Sequence, residues 1–202
     1  MLDVSCAHRT EHARAWIIHL SSAPEHLPVA RALLSEDELA RCQRIVGSRQ
    51  RQRLLLARAA VRVILGEQLG TPPARVPIIR TATGRPRLPG IGAPSFSVSH
   101  TGDWAAVAFS SRGQVGVDIE RSDRRICDRV IRRLMTPRYA DTVLKLGPEE
   151  RMRTFLEHWT SREACTKAMD GAAVPAHAHE LSVLALRCPS TLVGMLSLRA
   201  PR

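Results

Sequence analysis

The chain has 202 residues, 44% hydrophobic and 3% aromatic, with a formal net charge of +11. That length and apolar content suit one domain, or two small lobes sharing a core, and exclude a fibrous or disordered chain. Arginine carries almost all of the positive charge, Lys145 and Lys167 being the only lysines, and such a surplus favours a polyanionic partner: nucleic acid, a phosphate-rich cofactor or an acidic protein.

Cys6, Cys42, Cys127, Cys165 and Cys188 are odd in number, widely spread and free of any C-x-x-C pair, which argues against a disulfide frame and against a zinc site. No charged segment followed by an apolar run opens the chain, and no 18-residue apolar stretch occurs. The expected setting is the reducing cytoplasm, with no membrane contact.

In chain order, Ala15 to Leu20 (A-W-I-I-H-L) reads as a first buried strand, and Pro24 and Pro28 break the chain after it. Ser35 with Glu38 three residues on forms a capping box, so a helix is expected from Glu36. Asp37 and Glu38 then lie in the first turn, where the helix dipole favours acids. A stronger helix is expected from about Arg49 to Leu69, with Leu54, Ala57, Val61 and Leu65 as its apolar stripe and Gly70 and Pro72 as its stop. Arg51, Arg58 and Arg62 recur at helical spacing on it, near Arg41, Arg44, Arg49 and Arg53 in sequence. A solvated arginine face explains most of these, and phosphate contact by one or two stays open.

Thr83-Gly84-Arg85-Pro86-Arg87 is a tight turn with basic residues flanking a proline. Phe96, Val98 and His100 then alternate with Ser95, Ser97 and Ser99 along a strand, a Thr101-Gly102 turn succeeds it, and Trp104 to Phe109 forms the next strand. Ser110 to Gly113 is expected to be a hairpin turn into Gln114 to Glu120 (Q-V-G-V-D-I-E). There, Val115, Val117 and Ile119 share one face, and Gly116, Asp118 and Glu120 the other. Two carboxylates about 7 Å apart along a strand repel unless a positive group sits between them. They make a half-site for a hard cation such as Mg²⁺, which takes one or two carboxylates plus phosphate oxygens; an edge strand with two solvated acids is the alternative.

Asp123 to Met135 is arginine-rich and expected to be helical. Thr136-Pro137 caps a short helix through Leu146, and Gly147-Pro148 opens a long one ending at Asp170-Gly171. On the long helix Phe155, Trp159, Glu163 and Lys167 recur every four residues and form one stripe. A surface Glu–Lys pair explains its charged end as readily as a site does. Leu181 to Leu186 and Leu192 to Leu198 are two further candidate strands, and no internal repeat is visible.

Taken together, Asp118, Glu120 and Glu163 with Lys167 and His100 suit chemistry on a pyrophosphate, where a metal and cations neutralise charge building on the leaving group. Phe96 to Trp104 (F-S-V-S-H-T-G-D-W), Gly116 to Glu120 (G-V-D-I-E) and Trp159 to Lys167 (W-T-S-R-E-A-C-T-K) resemble the three signature motifs of 4′-phosphopantetheinyl transferases. Their order and spacing resemble the larger, surfactin-synthetase-activating type. Gly84-Arg85-Pro86 is similar to that class's Gly-Lys-Pro, and Leu34 to Arg53 to its early arginine-bearing segment, so the resemblance covers roughly residues 33–171.

The resemblance implies an α/β (α+β) pseudo-twofold, two-lobed monomer, each lobe a small sheet packed on helices. Residues 1–110 would form the lobe that meets the nucleotide of coenzyme A, and residues 111–202 the lobe with the metal-binding acids and the catalytic helix. The implied reaction is Mg²⁺-dependent transfer of the phosphopantetheine arm of coenzyme A to a serine of an apo carrier protein, releasing 3′,5′-adenosine bisphosphate. By motif position Asp118, Glu120 and Glu163 would bind Mg²⁺, and Glu163 would take the serine proton. Lys167 and His100 would meet coenzyme A phosphates, with Arg41, Arg53, Arg85 and Ser99 around the nucleotide. Arg162 stands where the family usually has lysine, which keeps the charge and changes the geometry. Only 35 residues follow Lys167, so the C-terminal lobe is expected to be short of the family's further strands.

Two other readings compete. A metal-dependent nuclease would usually place Glu-x-Lys on a strand, whereas here the pair is Glu-x-x-x-Lys in a helical pattern. A basic nucleic-acid-binding protein fits the charge but leaves the three acids unexplained; no nucleic-acid partner is expected.

Overall fold

A computed structural model describes residues 3–20, 24–171 and 180–200. Strands β1 (Asp3–Arg9) and β2 (Ala13–His19) open the chain, followed by helices α1 (Leu27–Ala32), α2 (Glu36–Gln43) and α3 (Ser48–Leu69). Short strands β3 (Ile79–Arg80) and β4 (Pro86–Arg87) flank the Gly84 turn, where Gly84 has a positive φ of 83°. Then come β5 (Ser95–Thr101) and β6 (Trp104–Ser110). β1, β2, β6 and β5, in that order, form a four-stranded antiparallel sheet.

The second half begins with β7 (Gln114–Arg121), continues through α4 (Asp128–Leu134), α5 (Pro137–Leu144) and α6 (Pro148–Ala168), and ends with β8 (Leu181–Ala185) and β9 (Leu192–Arg199). β7, β9 and β8 make a three-stranded antiparallel sheet. Sheets and helices are thus grouped into two lobes, as expected.

The strand period of two explains the layering. Trp16, Ile18, Ala105, Val107 and Phe109 face α3 and pack with Leu56, Ala60, Ile64 and Leu65. The alternate residues of the same strands, Ala15, Ile17, Ala106 and Ala108, pack instead against Val115, Val117, Ile119, Leu192 and Leu196 of the second sheet. α6 covers the other face of that sheet. The order is helix, sheet, sheet, helix, and the apolar side of β7 is the floor between the lobes.

The capping box forms: Ser35 Oγ accepts from Glu38 N at 3.3 Å, and Glu38 Oε2 accepts from Ser35 N at 3.0 Å. The same Glu38 oxygen takes the Arg62 Nε at 2.6 Å, both side chains being buried, and Arg62 Nη1 donates to the carbonyls of Pro73, Ala74 and Val76. Arg62 is therefore a structural tie under α3 and no part of a solvated face. Gly70, with φ 61°, ends α3 where the sequence places its stop.

Three sequence expectations change. β1 precedes the strand read as first; its residues are mostly exposed, so it lacks the apolar run that marks β2. Helix α4 is confined to Asp128–Leu134 within the 123–135 stretch. The turn at Ser110–Gly113 does not close a hairpin, because β7 leaves the first sheet and pairs with β9. On the other edge β7 meets β5 without a backbone ladder: the N–H groups of Val115, Val117 and Ile119 donate to the hydroxyls of Ser95, Ser97 and Ser99 at 3.2, 3.1 and 3.3 Å. The serine face of β5 is a seam between the lobes, while His100 on the opposite face is exposed.

Candidate active site at the lobe junction

Glycine at 116 lets α6 lie directly on β7. A Cβ there would come 1.9 Å from the Ala164 carbonyl oxygen and 2.6 Å from the Ala168 amide nitrogen, both helix backbone. That approach carries Lys167, on the last turn of α6, across the seam. Its Nζ donates to Asp118 Oδ1 at 2.8 Å, to the Val117 carbonyl at 2.9 Å and to the Val98 carbonyl on β5 at 3.4 Å. Asp118 Oδ1 also accepts from Ser99 Oγ at 2.7 Å, and Ser99 Oγ in turn accepts from Ile119 N. One buried carboxylate thus ties together motif residues of β5, β7 and α6.

Glu120 lies two residues on, with Oε2 accepting from Thr101 Oγ1 at 3.0 Å and Oε1 from Arg124 Nη1 at 2.5 Å. Thr101 continues the 95, 97, 99 alternation onto the seam; the strand period carries that signal, and the turn-like Thr101-Gly102 pair masks it. Glu163 sits one turn before Lys167, half-buried, and its carboxylate makes no hydrogen bond or ion pair among the described residues. Arg162 reaches sideways instead, donating through Nη1 to the Leu134 carbonyl at the end of α4.

His100 is solvent-accessible, yet the protein packed around it, followed by the neighbouring Lys167 and Arg58, pushes its pKa below the ordinary histidine value. Arg58 links this histidine to a second group of cations. Its Nη1 donates to the Glu38 carbonyl, while burial and then Arg58 and Arg41 lower the pKa of Arg80, which remains charged. Arg41, Arg80, Arg58, His100 and Lys167 therefore form a basic strip, each within electrostatic reach of the next, tempered by Asp37 on Arg41 at 3.0 Å. No motif marks Arg80 in the sequence, and Arg58 is there one arginine among many on α3.

The structure does not bring every candidate to Asp118. Arg53 is paired with Asp103 at 2.5 Å in the β5–β6 turn, beside Arg49. Arg85, mostly buried, donates to Asp170 at 3.1 Å and to the Val115 carbonyl at 3.4 Å, so it clasps the β3–β4 turn to β7 and to the end of α6. Arg41 lies in the basic strip, Ser99 at the carboxylate.

Among the described residues, no group of three or more His, Cys, Asp and Glu side chains is disposed to hold a metal ion. The donor chemistry nonetheless fits Mg²⁺ bound together with phosphate. Asp118 and Glu120 present hard oxygens from one strand face, the donor type that Mg²⁺ takes together with phosphate oxygens and water. The five cysteines are all free. No described helix is long and apolar enough to cross a membrane.

Comparison with known proteins identifies the family. Residues 114–200 match the model of the 4′-phosphopantetheinyl transferase superfamily, and residues 20–112 match that of the 4′-phosphopantetheinyl transferase N-terminal region. The chain is 32% identical over 172 residues to the 4′-phosphopantetheinyl transferase HetI of Nostoc sp., covering 81% of this chain and 71% of HetI. It is 29% identical over 173 residues to a phosphopantetheinyl transferase of Thraustochytrium sp., covering 77% of this chain and 60% of that protein. With the 4′-phosphopantetheinyl transferase Sfp of Bacillus subtilis it shares 24% identity over 136 residues, 67% of this chain and 60% of Sfp. The chain belongs to the 4′-phosphopantetheinyl transferases.

Gly116 is open to a direct test. Gly116→Ala should force α6 off β7, because the clashing atoms are helix backbone that cannot rotate away. Overpacking of this kind costs about 1–3 kcal/mol or more, read as a lower urea midpoint. Unchanged stability would show that α6 does not rest on the bare strand.

Proposed function

We propose that the protein transfers the 4′-phosphopantetheine arm of coenzyme A to a serine of an apo carrier protein, in a Mg²⁺-dependent reaction that releases 3′,5′-adenosine bisphosphate. The observation that supports this reading best is the meeting of Ser99, Asp118 and Lys167 at one carboxylate, with a basic strip leading away from it. Residues 1–110 would be the lobe that meets the nucleotide, and residues 111–202 the lobe that carries the acids and the catalytic helix. Monomeric, cytoplasmic action without nucleic-acid or membrane partners belongs to the same reading.

Asp118, Glu120 and Glu163 would hold Mg²⁺, which when bound neutralises charge on the pyrophosphate. Glu163, half-buried and without a partner among the described residues, would accept the proton of the incoming serine. The serine oxygen forms the new bond to the phosphorus that carries pantetheine, and the bond from that phosphorus to the bridging oxygen of the nucleotide breaks. Lys167 meets the negative charge that grows on the departing phosphate. His100, Arg58, Arg41 and Arg80 hold the nucleotide's phosphates, with Ser99 fixing Asp118. Arg53 and Arg85 remain nucleotide candidates only if substrate draws them from Asp103 and Asp170.

The nuclease reading places its glutamate and lysine on a strand; here Glu163 and Lys167 lie on α6. Incubation with coenzyme A, Mg²⁺ and a panel of apo carrier proteins, followed by intact mass, should show one phosphopantetheine added to a carrier, and EDTA should abolish the addition. Folded protein that modifies no carrier type would overturn the proposal.

Two variants divide the labour within α6. Glu163→Gln keeps the shape but loses the basicity, so turnover should collapse while coenzyme A affinity persists. Lys167→Ala should lower turnover roughly 10²–10³-fold and weaken coenzyme A binding as well. If Lys167→Ala leaves both parameters near wild type, Lys167 serves only the seam.

A further inference from the structure

Glu120 is held from two sides by groups of different character. Thr101, on β5 in the first lobe, donates to Oε2 at 3.0 Å and fixes the carboxylate at the seam. Arg124 pairs with Oε1 at 2.5 Å, and Glu120 itself is only 15% exposed against 51% for the arginine. Arg124 stands outside any helix or strand, between β7 and α4, and makes no other hydrogen bond or ion pair among the described residues. Lys167 on Asp118 is the contrasting case: two backbone carbonyls and a helix anchor it.

We infer that Arg124 is a latch on Glu120, a positioning residue that competes with a divalent cation for this carboxylate. The inference rests on the metal-binding role proposed for Glu120. Removing the arginine takes away both the occupant of Oε1 and a positive charge that repels an arriving cation. A half-exposed ion pair of this kind is weak enough to be displaced, and a side chain in an irregular stretch can swing into solvent without disturbing β7. The latch keeps Glu120 oriented and charge-compensated, and it opens when cation and phosphate arrive together, the phosphate offering the guanidinium a new partner.

Direct Mn²⁺ titration of the full chain, by calorimetry or electron paramagnetic resonance and without coenzyme A, tests this. Arg124→Gln should bind Mn²⁺ about three- to thirtyfold more tightly than wild type, the range set by a lost ion pair and lost repulsion. Arg125→Gln removes the same charge from an exposed neighbour and should change affinity less than about twofold. Adding Glu120→Gln to Arg124→Gln should erase the gain. Equal Mn²⁺ affinity in wild type and Arg124→Gln, or equal tightening by Arg124→Gln and Arg125→Gln, overturns the latch while leaving the metal role of Glu120 standing. No Mn²⁺ binding by any of these proteins, with or without coenzyme A, overturns both.

Discussion

Along the seam between β5 and β7, two strands lie side by side and share no backbone ladder. Among the described residues β7 pairs only with β9, so its other edge presents polar groups that must be satisfied inside the protein. Serine hydroxyls answer the N–H groups of Val115, Val117 and Ile119. Arg85 and Lys167 answer the carbonyls of Val115 and Val117. The long amine of Lys167 enters this side-chain seam, donating to the carbonyls of Val98 on β5 and Val117 on β7. The lobe junction and the candidate active site are the same place for that reason.

The arginine surplus resolves into distinct physical tasks. Arg62 is a buried tie whose guanidinium satisfies one carboxylate and three carbonyls, and its burial keeps it out of a substrate's reach. Arg85 and Arg162 hold elements together through backbone carbonyls, and Arg53 is engaged by Asp103. After burial, Arg58 and Arg41 lower the pKa of Arg80, and Lys167 and Arg58 that of His100, so these cations form the like-charged group to which the proposed function assigns phosphate. The net charge of +11 alone could not make this division.

Local chemistry is readable in the sequence where a residue acts through its immediate neighbours. The capping box at Ser35, the Gly70 stop, the Gly84 turn and the alternation of β5 and β7 all appear as expected, because each is decided within a few residues. The step of β7 from one sheet to the other is not readable: Ser110–Gly113 has the composition of a hairpin turn, and the partner that decides otherwise, β9, lies at the far end of the chain. For the site, the three motifs group Ser99, Asp118, Glu120, Glu163 and Lys167, and the geometry joins Ser99, Asp118 and Lys167 at one carboxylate. Thr101 lies within the first motif but reads there as a turn residue, while Arg58, Arg80 and Arg124 carry no such mark, since their partners come from distant segments or, for Arg124, from a strand end whose orientation depends on the seam.

If the Asp118–Lys167 contact holds the seam together as well as forming the site, its two members must be energetically coupled. A double-mutant cycle on unfolding free energy, with Asp118→Asn, Lys167→Met and the pair, measures that coupling. A value of about 1–3 kcal/mol is expected for a partly buried, charge-assisted pair in one hydrogen-bond network. Strict additivity of the two single changes would contradict it.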